Sequence, residues 1–160
     1  MNFTRENLVQ IWGVLNGLAQ EKTTAKGAYG IAKNKRIVET EVKSIEEAQK
    51  NQQLPEGIEE YEQKRLGLCE KFCDKDEEGK PVVNGNTFVI VKERPAFDTE
   101  LLKLQEEFKE PLSTRQKQDL EFQDFLKEEV NVDFHQIKID DLPNNVTGQQ
   151  VEVLGDIIIE

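Results

Sequence analysis

The sequence predicts a helix-dominant α+β fold, in which an N-terminal antiparallel helical hairpin, extended to a three-helix unit, is joined to a small antiparallel β element. Three observations predict it. Apolar residues recur at spacings of three and four through most of residues 4–74. The pair Asn84-Gly85 stands between two runs of β-forming residues. Ser113 to Gln116 and Thr147 to Gln150 then carry the spacing of helix-capping boxes. The length of 160 residues suits a single domain spanning 1–160, with a helical part over 1–75 and a mixed hairpin, helix and strand part over 76–160.

The elements follow in order. Thr4 is the expected N-cap of a first helix over 4–20, whose inner face is Leu8, Ile11, Trp12, Leu15, Leu18 and Ala19. Gly13 and Gly17 lie on an adjoining strip. Each costs a helix about 1 kcal/mol against alanine, so close approach of another backbone is the expected compensation. A second helix is expected over 24–52, with Ala28, Ile31, Ala32, Val38, Val42, Ile45 and Ala48 inward. Leu54-Pro55-Glu56-Gly57 breaks the chain. A third helix over 58–74 presents Ile58, Tyr61, Arg65, Leu68, Phe72 and one cysteine on one side.

Asp76 to Gly79 reads as a turn, and Pro81 to Val83 with Thr87 to Val91 reads as a hairpin about Asn84-Gly85. Asp98 is the expected cap of a helix carrying Leu101, Leu104 and Phe108 that stops before Pro111. Ser113 is expected to open another with Leu120, Phe122, Phe125 and Leu126. Residues 134–139 alternate like a strand, and a short helix is expected around Val151 to Leu154. Ile157 to Ile159 should be docked, because three exposed isoleucines invite aggregation.

The formal net charge is −11, which argues against general binding of duplex DNA, since most of the surface would repel phosphates. An acidic surface could also mimic DNA, although it more commonly serves solubility. No stretch approaches the ~20 apolar residues of a membrane span. The opening residues lack a charged segment followed by an apolar one, so no export signal is expected and the cytoplasm is the expected location. Cys69 and Cys73 are four apart, which suits neither a long-range disulfide nor a complete metal site. They are expected to be small core residues beside Phe72.

No phosphate-binding P-loop, dinucleotide fingerprint, nucleophile elbow or zinc-protease motif occurs. Lys26-Gly27-Ala28-Tyr29-Gly30 has neither a preceding strand nor a third glycine. Asp74, Asp76 and Glu78 beside Gly79 lack the alternating ligand set of a calcium loop. His135 is the only histidine; Asp133, Asp140 and Asp141 are near it in sequence but match no catalytic spacing. No cofactor, metal or catalytic residue is expected.

What survives is a basic window. Lys22, Lys26, Lys33, Lys35 and Arg36 fall among small residues with no acid between them; removing these five cations from the net charge leaves −16 for the rest of the chain. Thr23 and Thr24 offer hydroxyls and free amides where a helix start favours anions. Lys26, Tyr29, Lys33 and Arg36 share one helical face, and an aromatic ring beside cations can seat a nucleobase and its phosphates. Thr23, Thr24, Lys26, Tyr29, Lys33 and Arg36 are therefore the expected ligand-binding residues. The competing expectation is that these cations pair with the protein's own acids, Glu59, Glu60, Glu62 and Glu70.

Four segments carry a resemblance: FTRENLVQIWGVLNGL (3–18), KGAYGIAKNKRIVETEVKSIEEAQK (26–50), LCEKFCDKDEEGKPV (68–82) and IKIDDLPNNVTGQQVEVLGDIII (137–159). Their layout resembles that of small, uncharacterised proteins of tailed bacteriophages. The resemblance implies a phage accessory role in the cytoplasm of an infected bacterium and transfers no residue roles. The expected function is non-enzymatic binding of an anionic ligand such as a nucleotide, or of a host protein, so as to block a host defence. The alternative is a structural or assembly protein that self-associates through its long helices. A homo-oligomer is expected, with neither membrane nor duplex DNA as a partner. An enzyme built around His135 is the third and least supported reading.

Overall fold

Thr4 caps the first helix as its spacing predicts: its hydroxyl accepts the Asn7 amide at 3.1 Å, and the Asn7 side chain returns the contact to the Thr4 backbone. Helix α1 runs Arg5–Leu18 and α2 Ala25–Lys50, the latter capped by Thr24. A computed structural model describes all of residues 1–160. It divides the chain into two compact units, residues 1–52 with 121–160, and residues 53–120. The expected division near residue 75 falls inside the second unit.

In the first unit α1 and α2 form the expected hairpin. Its core is one cluster of thirteen buried residues, in which Leu8, Ile11, Leu15 and Leu18 of α1 meet Ile31, Val38 and Val42 of α2 and Phe134, Ile137, Leu154 and Ile157. At about 1.5–3 kcal/mol for each large apolar side chain, this cluster outweighs every exposed ion pair, each worth about 0–1 kcal/mol. Three features depart from the sequence reading. Ala28, Ala32 and Ala48 face solvent, because the inner stripe of α2 is Gly27, Gly30, Ile31, Asn34, Val38, Val42 and Ile45. Gly13 and Gly17 are open, and a Cβ on either would meet nothing within 4 Å. The close approach lies at Gly27 instead, where a Cβ would fall 1.7 Å from the Asp141 carbonyl oxygen.

Two short ladders close the unit. Strand β1 (Asn2–Thr4) pairs antiparallel with β4 (Glu129–Asn131), Phe3 lying opposite Val130. Strand β5 (Ile137–Lys138) pairs with β6 (Ile158–Ile159) in parallel. Residues 134–136 are irregular rather than strand. Helix α6 (Gly148–Leu154) has the capping box expected at Thr147 and Gln150. The terminal isoleucines are docked as expected, Ile157 being fully buried.

The second unit is built on α3 (Ile58–Phe72), which packs on α4 (Arg94–Glu107). Tyr61, Leu104 and Phe108 form one small core, and Cys69, Phe72 and Phe97 another. Both cysteines are buried free thiols beside Phe72, as expected. Arg65 points out and pairs with Glu62 at 2.8 Å.

The expected hairpin is present but short, β2 (Val83–Asn84) against β3 (Thr87–Phe88). Its turn is Gly85-Asn86, one residue later than the Asn84-Gly85 reading. Gly85 has φ +60° and no non-glycine residue has positive φ, which excludes the type I′ turn that Asn-Gly would supply. Helix α4 starts four residues before the expected cap Asp98, because Pro95 suits a first turn. Asp98 pairs instead with Arg94 at 2.9 Å. Helix α5 (Lys109–Lys127) likewise carries Pro111 in its first turn, so Ser113 lies inside it and caps nothing. It begins in the second unit and ends in the first.

Candidate functional site

The site grows from the inner stripe of α2. Asn34 is wholly buried, a polar side chain among apolar ones. Its amide Nδ2 donates to the His135 carbonyl at 2.7 Å, and its Oδ1 accepts the His135 amide at 2.8 Å. One side chain thus satisfies both backbone groups of an irregular segment that no strand partner reaches. With Gly30 admitting Ile137 (a Cβ there would come within 2.8 Å of it), residues 134–138 lie directly on α2. The clamp brings the His135 ring edge-to-face with Tyr29, centroids 5.7 Å apart at 88°.

Beside these rings is a groove of about 510 Å³, lined by Ala25, Lys26, Tyr29, His135 to Lys138, Asp141 and Ile159. That volume is in the range of small-molecule sites. Its lining is mostly apolar and includes the cations Lys26 and Lys138 as well as Asp141. One turn further along α2, a second groove of about 360 Å³ is lined by Tyr29, Ala32, Lys33, Arg36 and Ile37. Tyr29 belongs to both and is 62% exposed. Lys33 also borders a hollow that contains Asp133.

Thr23 and Thr24 are placed differently from the sequence reading. The Thr23 hydroxyl donates to the Asp141 carbonyl at 2.6 Å, and the Thr24 hydroxyl donates to the Asp141 carboxylate at 2.7 Å while accepting the Gly27 amide at 3.0 Å. The start of α2, expected to receive an external anion, receives the protein's own. Lys26, Tyr29, Lys33 and Arg36 do form the expected stripe on α2, and all four are exposed.

The expectation that the basic window is consumed by internal pairing does not hold. None of the eleven ion pairs includes Lys22, Lys26, Lys33, Lys35 or Arg36. Of the acids expected to neutralise the window, Glu60 pairs with Lys64 and Glu62 with Arg65. The carboxyl of Glu39, one turn beyond the stripe, is held below its ordinary range by the Lys43 hydrogen bond and charge first, and by Lys35 and Arg36 after them.

Residues His135, Lys138 and Asp141 were not among the expected ligand-binding set. A signal for the first was present: Asn34 sits at a core position between Ile31 and Val38, and a buried amide demands partners. Which segment supplies them is a tertiary fact. The His135 imidazole makes no hydrogen bond that would orient it as a base, and no three His, Cys, Asp or Glu side chains come together as a metal site. No helix is long and apolar enough to cross a membrane. Comparison with protein-family models, curated proteins and solved structures finds no match to the chain.

Proposed function

We propose that this is a non-enzymatic binding protein whose α2 groove takes an anionic ligand with a flat ring, a nucleotide being the chemistry that fits. The observation that carries this reading is the Tyr29–His135 ring pair bordered by Lys26 and Lys138, two cations without internal partners. Stacking of a base on an aromatic ring is worth about 1–3 kcal/mol. A phosphate at contact distance from an exposed cation adds about 1 kcal/mol per charge. With two cations these contributions sum to about 3–5 kcal/mol, a dissociation constant of the order of a millimolar.

Titration calorimetry of the full chain with adenosine and uridine monophosphates tests the reading, with inorganic phosphate as the control. Nucleotides should release heat and phosphate alone should not. Tyr29→Ala and Lys26→Glu should each weaken binding about tenfold, equivalent to about 1.4 kcal/mol. Absence of heat with every nucleotide at millimolar concentration defeats the proposal.

The wider role extends this reading from the sequence resemblance alone: an accessory protein of a tailed bacteriophage that sequesters a nucleotide signal or occupies a host protein. A second reading, self-assembly through helices, is favoured by the uncovered strip of Gly13 and Gly17 beside Val9, which is 40% exposed. Sedimentation separates the two. An assembly protein gives a defined oligomer that Lys33→Glu and Arg36→Glu leave unchanged, with no nucleotide binding.

A further inference from the structure

The groove at Tyr29 has a continuation that a lone nucleotide would leave empty. Lys26, Tyr29, Lys33 and Arg36 span ten residues of α2, about 15 Å at 1.5 Å per residue. Two concavities, about 510 and 360 Å³, lie end to end along this stripe and share the Tyr29 ring. Lys33 and Arg36, like Lys26, have no ion-pair partner among the protein's acids.

We propose that the ligand is a linear single strand of two to four nucleotides, one base seated against Tyr29 and the backbone running along Lys33 and Arg36. This rests on the nucleotide reading above and names its substrate class. A stacked strand carries one phosphate per about 3.4 Å and a splayed strand carries them further apart, so about 15 Å of track holds two to four. The two grooves accept consecutive units where a compact ligand would fill one.

Charge sets the direction. The Asp141 carboxylate is fixed on Thr24 at 2.7 Å, at the opposite end of the track from Arg36. Twelve helical residues separate Thr24 from Arg36, about 18 Å, which exceeds the screening length of about 8 Å at physiological salt. Asp141 offsets part of the Lys26 and Lys138 charge at its end, whereas no acid lines the groove of Lys33 and Arg36; the first phosphate meets Lys26 and Lys138, and the following ones run toward Arg36. A duplex is disfavoured because the track is one helix face wide and the rest of the chain sums to −16 once the five window cations are removed from the net −11. An acidic peptide would use the cations but leave the aromatic seat without a stacking partner.

The test compares, on the full chain, a mononucleotide, a linear trinucleotide, a cyclic dinucleotide and an acidic peptide of the trinucleotide's charge. The trinucleotide should bind at least tenfold more tightly than the mononucleotide. Its affinity should fall with salt at a slope near −0.7 for each phosphate neutralised. Arg36→Gln and Lys33→Gln, which remove charge without reversing it, should weaken the trinucleotide several-fold more than the mononucleotide; both side chains are exposed, so circular dichroism should be unchanged. Equal affinity for mononucleotide and trinucleotide overturns this inference and spares the nucleotide reading, whereas no binding of either overturns both. A cyclic dinucleotide or an acidic peptide that binds as tightly as the trinucleotide overturns the linear strand.

Discussion

Asn34 shows how much one side chain can decide. It replaces a strand partner for His135, donating at 2.7 Å and accepting at 2.8 Å from a wholly buried position. Asn34→Ala removes the partner of a half-buried N–H and C=O, together costing about 1–3 kcal/mol, and should release the loop that carries His135. Denaturant unfolding reads the loss, and faster amide exchange at His135 locates it. Asn34→Asp is more discriminating. Ionised, the carboxylate still accepts the His135 amide but faces the His135 carbonyl, so burial raises its folded pKa above the unfolded value. The variant should approach wild-type stability below the unfolded carboxylate pKa, where the protonated acid donates as the amide did. It should lose stability as pH rises through and beyond that value. A pH-independent deficit would mean that the clamp contributes shape rather than hydrogen bonding.

At the scale of elements, contact between α2 and residues 137–141 depends on two missing side chains. Gly27→Ala should gain about 1 kcal/mol of helix propensity but force its Cβ toward a backbone oxygen that would lie 1.7 Å away. Overpacking costs about 1–3 kcal/mol, and backbone cannot turn aside as a side chain can, so net destabilisation is expected. Gly13→Ala and Gly17→Ala meet nothing within 4 Å and should each raise the melting temperature. If all three substitutions behave alike, the contact between α2 and Asp141 is not tight. Both glycine pairs look alike in sequence, which is why Gly13 and Gly17 read as the contact strip: spacing records a missing Cβ and says nothing of what stands opposite.

The helices themselves were legible, since α1, α2 and α3 follow an apolar repeat and Thr4 and Thr147 cap where expected. Strands β1 and β4 were not. Each has three residues, too few to show alternation, and Phe3 finds its partner only at Val130. Helix α4 ends before Pro111 as expected; the starts of α4 and α5 were missed because proline also suits the first turn of a helix, where Pro95 and Pro111 stand. Half of the candidate site was legible on the same grounds. Lys26, Tyr29, Lys33 and Arg36 fall on one face by spacing alone, whereas the fate of Thr23 and Thr24 depended on Asp141, far along the chain.

For the whole molecule, the decisive fact is that one compact unit is continuous and the other is not. Residues 53–120 hold their own cores around Tyr61 and Phe72. An isolated 53–120 fragment should be helical by circular dichroism, with a low melting temperature because chains of this size bury little. Residues 1–52 alone should not fold, since Leu8, Leu15 and Ile31 bury themselves against Phe134, Ile137 and Ile157. A cooperative melt of the 1–52 fragment would contradict this. The same discontinuity has a meaning during synthesis. A ribosome adds about 5–20 residues per second, so roughly 80 residues of delay between 52 and 134 leave the apolar face of the first hairpin waiting about 4–16 s for its cover. The second unit is complete before the first can close. In the crowded interval, the nascent hairpin is the part of this protein most in need of a chaperone.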